Sequence, residues 1–275
     1  MCNATTKHII KTALLSTIIF IVTACSDNKH SEEARQMLDR ARTAADAGQF
    51  ETAKLLLDSI DSVYPKAVDV RREGLALMTT VREGLLNTSI ASTDSLLAVA
   101  QLRGDSLQQY LRKVDNPIES YFVVSGLGTV TNGIDPRLMP DGSLYILSRL
   151  SSPKIRHTSI SISAGDGTSA TTAAIHHDGE QNDEVGGVET ITFIGSDADT
   201  IGAYVNNHRN SSLTLSFIGP DNRTKEMTLP QQQIDAITAA YGYASNIRER
   251  KILNIRRRAL EEQLGLSRAQ SASLH

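Results

Sequence analysis

The chain has 275 residues with a formal net charge of -3 and a pI near 6.2. That balance excludes the basic excess with which nucleic-acid binders hold phosphate backbones. Aromatic residues make up 4% of the sequence, with no tryptophan, which argues against the stacked aromatic platforms of many sugar and single-strand readers and makes the expected core mostly aliphatic.

Residues 1–24 carry Lys7, His8 and Lys11, then an apolar stretch from about Thr12 to Val22, then small residues. An apolar core of about a dozen residues is short of the roughly 20 that span a bilayer, so the segment is predicted to be a cleaved signal. Val22-Thr23-Ala24-Cys25 resembles the lipobox of bacterial lipoproteins. The resemblance implies that Cys25 is acylated, with palmitate-type chains, and becomes the new amino terminus, since several chains on one residue hold a membrane firmly. Ser26 after the cysteine implies the outer membrane by the sorting habits of that family. Ser26-Asp27-Asn28 is similar to the acidic surface-export signal of Bacteroidota lipoproteins but is interrupted by Lys29, so the periplasmic face and the cell surface both stay open. Cys2 leaves with the signal, and an acylated Cys25 leaves no free thiol for a disulfide, a nucleophile or a thiolate metal site.

Residues 25–33 read as a lipidated tether and 34–115 as helical. Ser31 is the expected cap of the first helix, and Met37, Leu38, Ala41, Ala44 and Ala45 recur at helical spacing up to Gly48. The positions Gly48, Phe50, Ala53, Leu57, Ile60 and Pro65 resemble the second half of a tetratricopeptide repeat. Without a second copy, the resemblance implies a local helical hairpin rather than a peptide-binding superhelix. From Val70 to Val114 apolar residues recur in threes and fours without a proline, predicting long helices of coiled-coil character. An intramolecular hairpin and a self-association seam both fit, with Gly74, Gly84, Gly104 and Thr93 as its weak points.

After Asn116-Pro117 the period changes to 2, and residues 118–229 are predicted to form a mostly antiparallel β domain. Strands are expected at Tyr121–Val124, Leu144–Leu147, His157–Ser163, Thr190–Ile194 and Leu213–Ile218. Asp141-Gly142 signals a two-residue hairpin turn, and Ser196-Asp-Ala-Asp199 opens one short helix running to about Val205. Pro230 starts a long final helix, 230–266, before a frayed tail at 267–275. The expected fold class is therefore α+β.

Candidate chemistry is thin. Gly126-Leu-Gly128 follows a strand, but the third glycine position of a dinucleotide turn is Thr131 and Pro136 follows, so no phosphate-binding helix can start there. His176, His177, Asp178 and Glu180 supply imidazole and carboxylate groups for a divalent ion in the segment 176–184, at a spacing that matches no metal motif. His157 begins a strand and is a possible acid or base. A partner surface is sought at Phe50 and at the basic final helix, with Arg248, Arg256 and Arg257. Asp-Ser-apolar triplets such as Asp58-Ser59-Ile60 and Asp94-Ser95-Leu96 resemble the O-glycosylation sequon of exported Bacteroidota proteins.

The whole resembles an outer-membrane lipoprotein of Bacteroidota type. The leading expectation is a non-catalytic, lipid-anchored envelope protein that presents a β domain for binding or assembly, with no catalytic residues, no cofactor and no nucleic-acid partner. Its partners would be the membrane and an envelope protein or a second copy. The competing expectation is an envelope hydrolase or metal-dependent enzyme acting on cell-wall or glycan material, favoured if His157, His176 and Asp178 converge in a pocket.

Overall fold

Small side chains set the start of the fold. The computed structural model describes residues 29–117 and 119–273, so the signal segment, the lipobox with Cys25 and the first residues of the tether lie outside the described residues. Five helices are formed among the described residues: α1 (29–46), α2 (Phe50–Val63), α3 (Val68–Gln108), α4 (Ser196–Asn207) and α5 (Gln231–Ser273). The chain divides into a helical unit, made of residues up to Asp94 and from Ile255 onward, and a β-rich unit, Ser95–Asn254. Helices α3 and α5 each supply residues to both.

In the helical unit α1 buries Ala34, Leu38, Ala41, Ala44 and Ala45, and α2 buries Ala53, Leu57 and Ile60. The alanines keep the α1 surface low, so the larger side chains of α2 fill the space between them. Gly48, with φ +73°, turns the chain between the two helices, and its N–H and that of Gln49 close onto the carbonyls of Ala45 and Ala44. Ser31 lies inside α1 rather than at its cap, because the helix already includes residue 29. Arg35 and Arg42 both reach Glu73 on α3, at 2.7 and 2.5 Å.

The glycines of α3 are contact points, not weak points. Gly74, Gly84 and Gly104 are all buried. A Cβ on Gly84 would lie 2.4 Å from the Phe50 ring, and one on Gly104 would lie 2.6 Å from Oδ1 of Asn246 on α5. Asn246 donates from Nδ2 to the carbonyl of Ala100 at 2.8 Å. Thr93, expected to interrupt the seam, is buried in it and returns its hydroxyl to the Ser89 carbonyl.

In the β-rich unit the first sheet runs β1 (Leu111–Val114), β2 (Tyr121–Val124), β3 (Gly133–Leu138), β4 (Leu144–Leu150), β8 (Val188–Phe193), β7 (Asn182–Val185). The second runs β10 (Thr224–Thr228), β9 (Leu213–Ile218), β5 (Ser159–Ala164), β6 (Ser169–Thr171). Every ladder is antiparallel. Ile134, Leu144, Ile146, Ile191 and Phe193 of the first sheet share one core with Ile160, Ile162, Leu215 and Phe217 of the second, joined by Ile201 of α4 and Ile237 of α5. The α+β arrangement read from periodicity is the one observed.

Several boundaries differ. Leu111 and Val114 are three apart and fit a helix, but they form β1 because they pair with Val124 and Tyr121. Strand β3 was not expected, since it contains Pro136. The ladder between β2 and β3 joins only Phe122 with Leu138 and Val123 with Arg137, so no β2 residue awaits an N–H from position 136. Ile134, of the same parity, gives its N–H to the Gln233 side chain on α5 at 2.8 Å. The Asp141-Gly142 turn is a five-residue connection, with Met139 N–H bonded to the Ser143 carbonyl and only Gly142 at positive φ. Helix α5 continues to Ser273 through most of the expected tail. Among the described residues no helix is long and apolar enough to cross a membrane.

Candidate functional site

Alternation along β4 points Leu144, Ile146, Ser148 and Leu150 into the core, and along β8 it points Glu189, Ile191 and Phe193 the same way. Two polar residues thus stand at apolar positions. The register places Ser148 opposite Ile191 and Leu150 opposite Glu189, so both polar groups lie at the same end of the paired strands. His157, just before β5, comes between them.

Ser148 Oγ lies 2.7 Å from His157 Nε2, and His157 Nδ1 lies 3.1 Å from Glu189 Oε2. The backbone N–H groups of Arg156 and His157 donate to the two oxygens of Glu189, at 2.8 and 3.3 Å. Arg156 takes a positive φ of 53° to present its N–H this way. The Phe217 ring meets the imidazole edge-on at 5.2 Å between centroids and holds its plane. Ser148 and His157 are fully buried, and Glu189 is 5% exposed.

Burial pushes the His157 imidazole below its ordinary pKa, against the opposing pull of Glu189. Burial also works to raise Glu189, but the Arg156 N–H and the His157 groups outweigh it and hold the carboxyl below the usual range. Neutral His157 therefore donates from Nδ1 to a carboxylate and accepts the Ser148 hydroxyl at Nε2. This is the proton arrangement of a Ser-His-acid triad. Acyl transfer also needs a substrate carbonyl at the hydroxyl and donors for the oxyanion. A cleft of about 420 Å³ reaches His157 and Glu189 and is lined by Arg156, His177, Asn182 and Asp183, but Ser148 is not in its lining. As it stands, the chain of hydrogen bonds ties two strands of the first sheet to the entry of β5 in the second.

The convergence sought for His157, His176 and Asp178 does not occur. His176, His177, Asp178 and Glu180 are exposed. His177 Nε2 lies near the carbonyls of Arg156 and His157, while Asp178 accepts the Glu180 N–H in a local turn. Among the described residues no three His, Cys, Asp or Glu side chains are grouped to hold a metal ion. The expected partner residues are mostly engaged internally. Phe50 packs on Gly84, Arg248 pairs with Asp199 at 2.9 Å, and Arg257 pairs with Asp94 at 2.7 Å. Arg256 is exposed.

The residues that sequence reasoning missed are Ser148 and Glu189. Their signal was parity: each is a polar residue at the inward phase of an otherwise apolar strand. Comparison with protein-family models, with curated proteins and with solved structures gives no match.

Proposed function

We propose that this chain is a lipid-anchored cell-envelope protein, held in the outer membrane through an acylated Cys25, that acts as a non-catalytic binding or assembly module presenting its β-rich unit. The observation that carries this reading is the full burial of Ser148 Oγ and His157. A hydroxyl closed off inside a packed core meets no substrate, so the Ser-His-Glu set is a structural tie between the sheets. The anchor rests on Val22-Thr23-Ala24-Cys25. The test is crosslinking and capture of the tagged protein from its own envelope, beside a Cys25→Ser version. Discrete partners that are lost with the anchor support an assembly role, and an envelope protein recovered with no partner counts against it.

The second reading is an envelope hydrolase acting on cell-wall or glycan material, favoured by the 2.7 and 3.1 Å spacings of Ser148, His157 and Glu189. A fluorophosphonate probe separates the two. Labelling that disappears in Ser148→Ala would replace the binding reading with the enzymatic one.

A further inference from the structure

The register of the first sheet places a second set of charged residues on the face turned away from the core. Arg137 of β3 stands opposite Tyr145 of β4, Asp135 opposite Leu147, and Arg149 opposite Gly133 and Thr190. Leu147 is buried there at 7% exposure, although it points away from the shared core. The side chains of Arg137 and Arg149 are only 27% and 22% exposed on this face.

Two guanidiniums share a single carboxylate oxygen. Nη2 of Arg137 and Nη2 of Arg149 each approach Asp135 Oδ2 at 3.3 Å. Arg149 also makes a long contact of 3.5 Å to the Val130 carbonyl. Each guanidinium carries five N–H groups, and the Nε atoms of both arginines are buried with no acceptor. Buried guanidinium donors without an acceptor are uncommon in a folded protein, and a bound anion would supply one. The Tyr121 ring, with its centroid 4.6 Å from Arg137 Cζ, sets the plane of that fork. Two guanidiniums meet one carboxylate at contact distance, and the donors are planar and partly dry. That combination suits a carboxylate or phosphate bound side-on.

We infer that Arg137 and Arg149 form an oxyanion-binding site on the outer face of the first sheet, for the carboxylate of an acidic sugar or for a phosphate group, with Asp135 as the internal anion that a ligand competes with. The inference deepens the binding role proposed above by naming a ligand class, and it rests on that reading for its biological meaning.

The full chain in non-ionic detergent, carrying ¹⁵N-labelled arginine, is titrated with glucuronate and with inorganic phosphate, using glucose as the uncharged control and sodium chloride at matched ionic strength. Saturable shifts of the Arg137 and Arg149 Nε–H signals are expected with at least one oxyanion and not with glucose or chloride. Response to glucuronate alone assigns a carboxylate ligand, response to phosphate alone a phosphate ligand, and response to both a general oxyanion site. Arg149→Gln should weaken binding about tenfold, the scale of one lost charge-assisted contact. Asp135→Asn keeps the side-chain shape, removes the competing charge, and should tighten binding several-fold. A control, Arg72→Gln in the helical unit, leaves the titration unchanged. The site is overturned if no signal saturates, if chloride does the same, or if Asp135→Asn fails to tighten binding. Fluorophosphonate labelling of Ser148 alongside intact arginine shifts would remove the functional reading and leave this site standing.

Discussion

Glu189 is a buried carboxylate with three N–H donors trained on it, from the backbone of Arg156 and from the backbone and ring of His157. Glu189→Gln keeps one acceptor oxygen but turns an NH₂ group toward those donors. The cost is that of unsatisfied buried polar groups, about 1–3 kcal/mol, measured by urea unfolding near neutral pH. The same cluster makes stability depend on pH. The folded imidazole of His157 is held below its ordinary value of 6.5. As pH falls through about 6.5 the unfolded chain therefore takes up a proton that the folded chain refuses. Stability is complete above that value and declines below it, until the folded group also titrates. A further loss begins below about 4.5, where the depressed carboxyl of Glu189 adds the same sign of effect. In His157→Gln the decline between pH 6.5 and 5 should shrink while the low-pH part remains. Of these three residues only His157 drew attention in the sequence. Ser148 and Glu189 are legible there as polar residues at core parity, but their meeting is set by the pairing of β4 with β8 and the approach of the second sheet, which local pattern does not encode.

Among the elements, α3 shows how a pattern is misread when side-chain size is ignored. Helix propensity alone makes Gly84→Ala favourable by about 1 kcal/mol. The new Cβ would meet three Phe50 ring carbons at 2.4–2.5 Å, and overpacking of that kind costs about 1–3 kcal/mol. The variant should be destabilised by up to about 2 kcal/mol in thermal or urea unfolding. In a Phe50→Ala background the clash is gone, and the same change should become stabilising by about 1 kcal/mol. Opposite signs in the two backgrounds identify Phe50 as the partner that requires the glycine. The positions of α2, α4 and strands β2, β4, β5, β8 and β9 were legible because each has a recognisable period or clear punctuation, such as Gly48, Pro65 and Ser196, whereas Pro136 hid the interior strand β3. The edge strands β1, β6, β7 and β10 were not, being only three to five residues long. Too few residues alternate in them to separate a strand from a polar loop.

For the whole molecule the order of helical and β segments followed from a single change of period near Pro117, and the α+β class with it. Long helices at both ends of the β-rich unit were also legible from their apolar spacing. That α3 and α5 each serve two units was not, because apolar spacing marks which face is buried without naming what covers it. At this scale the prediction concerns location. Cys25→Ser should move the protein from the detergent-extracted membrane fraction to a soluble one, leaving the folded units unaltered by circular dichroism. Retention in the membrane by the variant would argue against the lipid anchor.

The hold of Glu189 on Arg156 and His157 also bears on how the sheets find each other. A slip of β8 by one residue would turn Glu189 outward and bring Thr190 or Val188 to the inner face, leaving three buried N–H donors, the His157 ring among them, with no carboxylate to receive them. Ile191 and Phe193 would turn outward in the same slip and Thr190 and Thr192 inward, so lost apolar burial adds to the lost carboxylate. The carboxylate thus acts as a proofreader of strand pairing, and its removal should show as slower or more heterogeneous refolding in addition to a lower midpoint.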